Sequence, residues 1–253
     1  MMVKIQDSVY LVTGGGSGLG EATAKLLLTE GARVTIFSRN EYKNEFPHDQ
    51  VLSVKGDVRS ESDVKRALEA TIQKFGKLDG VMHCAGVFQN GDELFNMDTQ
   101  QPGDYTVLTD IVTTNLLGTF NVNRLAIPYF LTNQPDEEGQ KGIIINCSST
   151  SGHSPMSSAV AYSTSKAAII GLSYALAKQL STLGIRVMDI APALCDTPMF
   201  RRAVGFNQDI ANFRNLFPAR LIQPIEYANA VKHIIETPML NGSSYQLDGA
   251  LRP

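Results

Sequence analysis

One doubly wound α/β domain spanning residues 1–253, a parallel sheet of about seven strands with helices on both faces, is predicted by three observations. Short, near-continuous apolar runs alternate with helical stretches, as expected of strands buried on both faces of a parallel sheet. A glycine cluster follows the first apolar run at once and leads into a helical pattern. No Pro/Gly/Ser linker, composition shift or repeat divides the 253 residues.

Taken in order, Val9–Thr13 reads as the opening strand, and the stretch from Glu21 has helical spacing until Gly31. Further strands are expected at Arg33–Phe37, Val51–Val54, Leu78–His83, Gly142–Cys147, Arg186–Ala191 and Ser244–Leu247. Helices are expected around Glu61–Phe75, Tyr105–Asn133, Ala159–Leu180 and Pro224–Glu236. Between Phe37 and Val51 the chain is too short and Pro-broken for a crossover helix, so one turn at most is expected there. Ala193 to Pro218 follows a strand end and has the weakest pattern, which suits a substrate lid. Met199, Phe200, Phe206, Phe213 and Phe217 either line an apolar pocket under it or only anchor it. His153 borders the same pocket or is incidental.

The glycine turn has the order Thr13-Gly14-x-x-x-Gly18-x-Gly20, looser than Gly-x-Gly-x-x-Gly. Its place between a strand and a helix is that of a Rossmann dinucleotide site, where turn amides and the positive helix start hold a pyrophosphate. Gly14, Ser17, Gly18, Leu19 and Gly20 are the expected contacts.

Tyr162 and Lys166 stand four residues apart in Ala-Tyr-Ser-Thr-Ser-Lys, thirteen positions after Ser149. Residues four apart share a helix face, so phenol and ammonium converge. A nearby positive charge favours phenolate, and a lowered Tyr162 pKa is expected from it. A phenol poised that way passes a proton to or from a substrate oxygen.

Together these motifs resemble the short-chain dehydrogenase/reductase family along essentially the whole chain. The resemblance implies a catalytic set of Ser149, Tyr162, Lys166 and Asn115, with Asn115 (in Thr-Thr-Asn-Leu-Leu-Gly) in a proton-delivering water chain. It makes Asp57 and Val58 the adenine-side contacts and adds Cys84, Ala85 and Gly86, in His-Cys-Ala-Gly where the family has Asn-Asn-Ala-Gly. Tyr162, Lys166, Pro192 and Thr197 join the cofactor set; His83 is read as structural support. The subgroup resembled most is the type-2 3-hydroxyacyl-CoA dehydrogenases, through Gly118-Thr-Phe-Asn-Val, Gly184-Ile-Arg-Val-Met and Leu247-Asp-Gly-Ala-Leu-Arg. The implied activity is hydride transfer between a nicotinamide cofactor and a secondary alcohol or ketone. A 3-hydroxyacyl or 3-oxoacyl thioester is the first substrate implied and a hydroxysteroid or other secondary alcohol the second. A non-catalytic nucleotide-binding scaffold is the alternative of another class, disfavoured because Tyr162 and Lys166 are both present.

Three positions depart from that subgroup. Ala193 replaces the glycine after Pro192, and the insertion Asn96–Asp104 lacks basic residues suited to a CoA phosphate. Ser38 replaces an acidic residue and is followed by Arg39, a pair that accepts a 2′-phosphate and points to NADP, with NAD as the alternative. A net charge of −3 disfavours a nucleic-acid surface. The first strand begins too early to leave room for a cleaved signal, and no apolar run reaches the ~18 residues of a membrane span. Cys84, Cys147 and Cys195 have no metal-ligand spacing and are expected reduced, in the cytoplasm or, as the alternative, the mitochondrial matrix. The family resemblance implies a homotetramer.

Overall fold

The apolar runs become the strands of one parallel sheet in the computed structural model, which describes residues 5–40, 47–204 and 217–251. The strands are β1 (Val9–Thr13), β2 (Arg33–Ser38), β3 (Val51–Lys55), β4 (Gly80–His83), β7 (Gly142–Cys147), β8 (Ile185–Pro192) and β9 (Ser244–Leu247). The intervening β5 (Phe95–Asn96) and β6 (Gln101–Pro102) form a small antiparallel hairpin within the insertion. The sheet order is β3-β2-β1-β4-β7-β8-β9. The chain thus winds outward from β1 to β3, then returns to lay β4 on the other side of β1. That reversal opens a crevice at the carboxyl ends of β1 and β4, where ligands of such sheets bind. The turn expected between Phe37 and Val51 lies partly outside the described residues; within them, residues 48–50 form a turn.

Helices α1 (Gly18–Thr29) and α8 (Pro224–Glu236) cover one sheet face; Leu27, Val231 and Ile234 pack there on Val12, Met82 and Ile190. Helices α2 (Glu61–Phe75), α4 (Gly118–Leu131) and α6 (Val160–Leu180) cover the other, with Leu68, Val122 and Leu180 against Leu11, Val81 and Val187. Each fully buried aliphatic side chain contributes roughly 1.5–3 kcal/mol, so both layers are strongly driven to form. Arg186 on β8 is buried and closes the far end of α8, donating to the carbonyls of Ile234, Ile235, Thr237 and Leu240. Burial pushes its guanidinium down to about 10, still charged at neutral pH.

The stretch expected as one helix, Tyr105–Asn133, is interrupted. It comprises α3 (Tyr105–Val112), a π turn (Thr113–Leu117) and α4. Thr113 hydrogen-bonds back to Thr109 at 2.6 Å, and the Asn115 side chain is held by backbone outside the helix. Such π turns commonly mark functional sites. Two short helices remain: α5 (Thr150–His153), directly after Ser149, and α7 (Pro198–Val204). Among the described residues no helix is long and apolar enough to cross a membrane.

Candidate active site

The glycine turn occupies the crevice because nothing larger fits. Gly14 has φ +65°, and a Cβ there would stand 2.9 Å from the Ala85 backbone, on the loop after β4. A Cβ on Gly20 would lie 2.4 Å from the Gly14 carbonyl oxygen. Ser17 precedes α1 in extended conformation and makes no side-chain cap, so the first-turn amides remain available to an anion. A narrow backbone cradle ending in an uncapped helix start fits a dinucleotide pyrophosphate. Leu19 packs into the core beneath α1. Ser38 sits beside this turn, close to Gly16, and its hydroxyl donates to Asn40 O at 2.7 Å. Arg39 is exposed and near enough to Asp57 to favour its charged form.

Asp57 is less available than expected. Partial burial works against its charge, but Arg59 hydrogen-bonds both carboxylate oxygens and holds the pKa below the usual carboxylate range. Arg59 continues to Asp110 at 2.7 Å, and Gln89 joins the same carboxylate at 2.6 Å. Val58 is buried against Gly118, its carbonyl accepting from Asn121 at 2.8 Å. Cys84 turns its thiol down toward the Tyr227 hydroxyl, and burial pushes that thiol up to about 12. Gly86 faces Lys166; a Cβ there would be 3.6 Å from Nζ. Thr197 lies over Gly18, and Pro192 ends β8 with its carbonyl 3.5 Å from Ser149 Oγ.

Ser149, Tyr162 and Lys166 converge beside Gly86. The Ser149 hydroxyl is near enough to the Tyr162 phenol to favour its ionised form, and its Oγ accepts from Ser151 N at 3.2 Å. Lys166 is buried; Nζ donates to Cys147 O at 2.9 Å and lies 5.6 Å from the Tyr162 ring centroid. The expectation of a lowered Tyr162 pKa is corrected here. Burial raises it above the ordinary tyrosine value, and the pull of Lys166 and Ser149 offsets only part of that rise. The charge is present, but desolvation outweighs it. The phenol is therefore held protonated at neutral pH.

Asn115 is fully buried and holds the loop after β4: Oδ1 accepts from Val87 N at 2.7 Å, and Nδ2 donates to Val87 O at 3.0 Å and Ser165 Oγ at 3.1 Å. Its side chain thus satisfies backbone. His83 is buried and pushed down to about 4 by burial, hence neutral, in keeping with a structural part. His153 is exposed and its Nε2 lies 2.9 Å from Ser244 Oγ. Of the apolar set in the lid, Phe217 is 87% exposed, Met199 and Phe200 are half-buried, and Phe206 and Phe213 lie outside the described residues.

Three residues absent from the sequence reading complete the site. Asp92 is buried, accepts from Tyr162 N at 2.8 Å through Oδ2 and from Ala161 N at 3.3 Å through its carbonyl. Phe88 meets the Tyr162 ring edge-to-face, centroids 5.0 Å apart. Asp189 is buried behind Ser148. None has a local spacing to the residue it serves, so no window of sequence announces them.

Comparison with known proteins places this geometry. The model of the short chain dehydrogenase family matches residues 8–206. The chain is 40% identical over 253 residues to the 3-hydroxyacyl-CoA dehydrogenase type-2 of Drosophila melanogaster, covering 98% of each. To the human protein of that name it is 37% identical over 256 residues, covering 98% of this chain and 97% of the other. The crystal structure of 3-hydroxyacyl-CoA dehydrogenase type-2 from Mycobacterium avium superposes with TM-score 0.88 at 31% identity, over 99% of this chain and 98% of that one. A 3-ketoacyl-(acyl-carrier-protein) reductase from Brucella melitensis, complexed with NADH, gives 0.82 at 27% identity over 97% and 98%. The chain belongs to the short-chain dehydrogenase family and is a nicotinamide-dependent oxidoreductase acting on CH–OH groups.

Proposed function

We propose that the enzyme interconverts 3-hydroxyacyl and 3-oxoacyl thioesters, with NADP as the preferred dinucleotide. The convergence of Tyr162, Ser149 and Lys166 carries the catalytic part of this reading. The names of the fly, human and mycobacterial relatives, matched over nearly their full length, support the substrate class. The nicotinamide, when bound, supplies or accepts the hydride. Ser149 Oγ orients the substrate oxygen toward Tyr162, whose hydroxyl donates the proton in reduction and takes it back in oxidation. Lys166 opposes the cost of forming phenolate and holds the nicotinamide ribose. The glycine turn, Ser38, Arg39 and the Cys84–Gly86 loop hold the rest of the dinucleotide, and Asn115 acts by fixing that loop through Val87. Residues 193–218 serve as the substrate lid. Three free thiols support a reducing compartment, the cytoplasm.

Ser38 and Arg39 favour NADP because neither repels a 2′-phosphate and the guanidinium can pair with one. Fluorescence titration with NADPH and NADH, on wild type and Arg39→Ala, tests it. Tighter NADPH binding, weakened about tenfold or more in the variant, is expected from loss of a phosphate contact. Tighter NADH binding, or no loss in Arg39→Ala, overturns the NADP assignment. The substrate class is tested by assaying acetoacetyl-CoA against ketosteroids and simple ketones. Because the 96–104 insertion contains no Lys or Arg, the pantetheine thioester should be turned over nearly as well as the CoA form.

A further inference from the structure

We infer that Asp189 positions Ser149 for the reaction, through a directed hydrogen-bond chain whose outer end is the exposed imidazole of His153. The inference rests on the reading of Ser149 as the group that orients the substrate oxygen. Asp189 is 0% exposed. Its Oδ1 accepts from Ser148 N at 2.9 Å; its Oδ2 accepts from Ser148 Oγ at 2.6 Å and from Ser244 Oγ at 2.6 Å. Ser244 Oγ in turn lies 2.9 Å from His153 Nε2. Ser149 follows Ser148 and caps α5, and His153 is the last residue of α5. The single helical turn that begins at Ser149 is therefore tied at both ends to one buried carboxyl group.

The chain has a direction. A carboxylate only accepts, so both serine hydroxyls donate to Oδ2, and Ser244 can accept only from a protonated His153 Nε2. Distances of 2.6 Å are those of hydroxyls bonded to an ionised carboxylate. Burial raises the Asp189 pKa above the usual carboxylate value, and the hydrogen bonds from Ser148 and Ser244 and the charge of Lys166 from α6 work against that rise. Cys147 from β7 also faces Asp189, and His153 from α5 is reached through Ser244. With an aspartate at the inner end, neutral and protonated imidazole both fit at the outer end.

An amide at position 189 would weaken the chain. Asp189→Asn keeps the shape and an acceptor for Ser148 N, but its NH₂ donates to the two serine hydroxyls where the carboxylate accepted from them, so the charge-assisted bonds are lost while the bond from Ser148 N remains.

The test measures kcat, KM and cofactor Kd. Asp189→Ala should lower kcat about 10²-fold, as misplacement of a reacting group does, while cofactor Kd changes less than about threefold. Asp189→Asn, which keeps the acceptor for Ser148 N, should lose about tenfold or less, with cofactor Kd again within about threefold. Asp189→Ala with more than half the wild-type kcat, an Asn variant no more active than the alanine variant, or a cofactor Kd that weakens in step with kcat each overturns the inference. Should the alanine variant fail to fold, the asparagine variant decides alone: wild-type kcat, or a cofactor Kd weakened in step with kcat, overturns the inference. Ser149→Ala, assayed alongside, separates the two readings: its activity retained would sink the role of Ser149, whereas its activity lost with Asp189→Ala unaffected would sink only that of Asp189.

Discussion

Burial and charge oppose one another at the Tyr162 hydroxyl, and burial prevails. Ultraviolet titration of wild type and Tyr162→Phe should therefore coincide up to about pH 10, the ordinary tyrosine midpoint. A phenolate step lost from the variant below pH 9 would mean that Lys166 prevails instead. The same variant should lose about 10²–10⁴-fold in turnover, the usual contribution of a general acid, with cofactor affinity nearly unchanged. Retention of more than about a tenth of the rate would remove Tyr162 from its role. Ser149, Tyr162 and Lys166 were legible in the sequence because a helix face and a strand end are local patterns. The direction of the Tyr162 shift was not, since desolvation depends on what the rest of the fold stacks around the ring. The pairing of Asp57 with Arg59 was not legible for the same reason: the two are two residues apart, but their contact depends on how the turn after β3 is bent.

Helix α6 is better formed at its start than its own sequence allows. Its N-cap is Ala159, which offers no acceptor, and Asp92 supplies one from 70 positions earlier. Asp92→Ala leaves the Tyr162 amide in the first turn without its acceptor, while the Ala161 amide keeps the Asp92 carbonyl. Loss of about 1–2 kcal/mol in urea unfolding is expected, as for other cap removals, with a larger proportional fall in kcat than in cofactor affinity. Unchanged stability and unchanged kcat would show that Asp92 neither caps nor aligns the helix. The strands were legible almost to the residue because two buried faces demand unbroken apolar runs. The π turn at Thr113–Leu117 was not, because inserting it leaves the apolar spacing of Tyr105–Asn133 intact. The backbone that holds Asn115 within it, at Val87, belongs to a loop distant in sequence.

Across the whole molecule, apolar surface is left over on one side. Leu117, Phe120 and Leu131 along the π turn and α4, together with Tyr174 on α6, are exposed. Stacked on the layer that already covers the sheet, these side chains stay exposed among the described residues. A second copy, offering the same helices, is the proposed cover, and closed pairing of such faces leads to a homotetramer or, failing that, a dimer. Sedimentation at micromolar concentration should give an oligomer, and Phe120→Glu with Tyr174→Glu should split it. A wild-type monomer would rule this out. The cap that Asp92 lends to α6 also orders events in time. The helix start cannot be secured until a segment 70 residues upstream has docked, and closing so long a loop is slow compared with forming helix turns. A refolding chain should regain its helical circular dichroism before its activity, and mild denaturant should abolish turnover before the sheet gives way. Catalytic competence is then the last property the chain acquires and the first it surrenders.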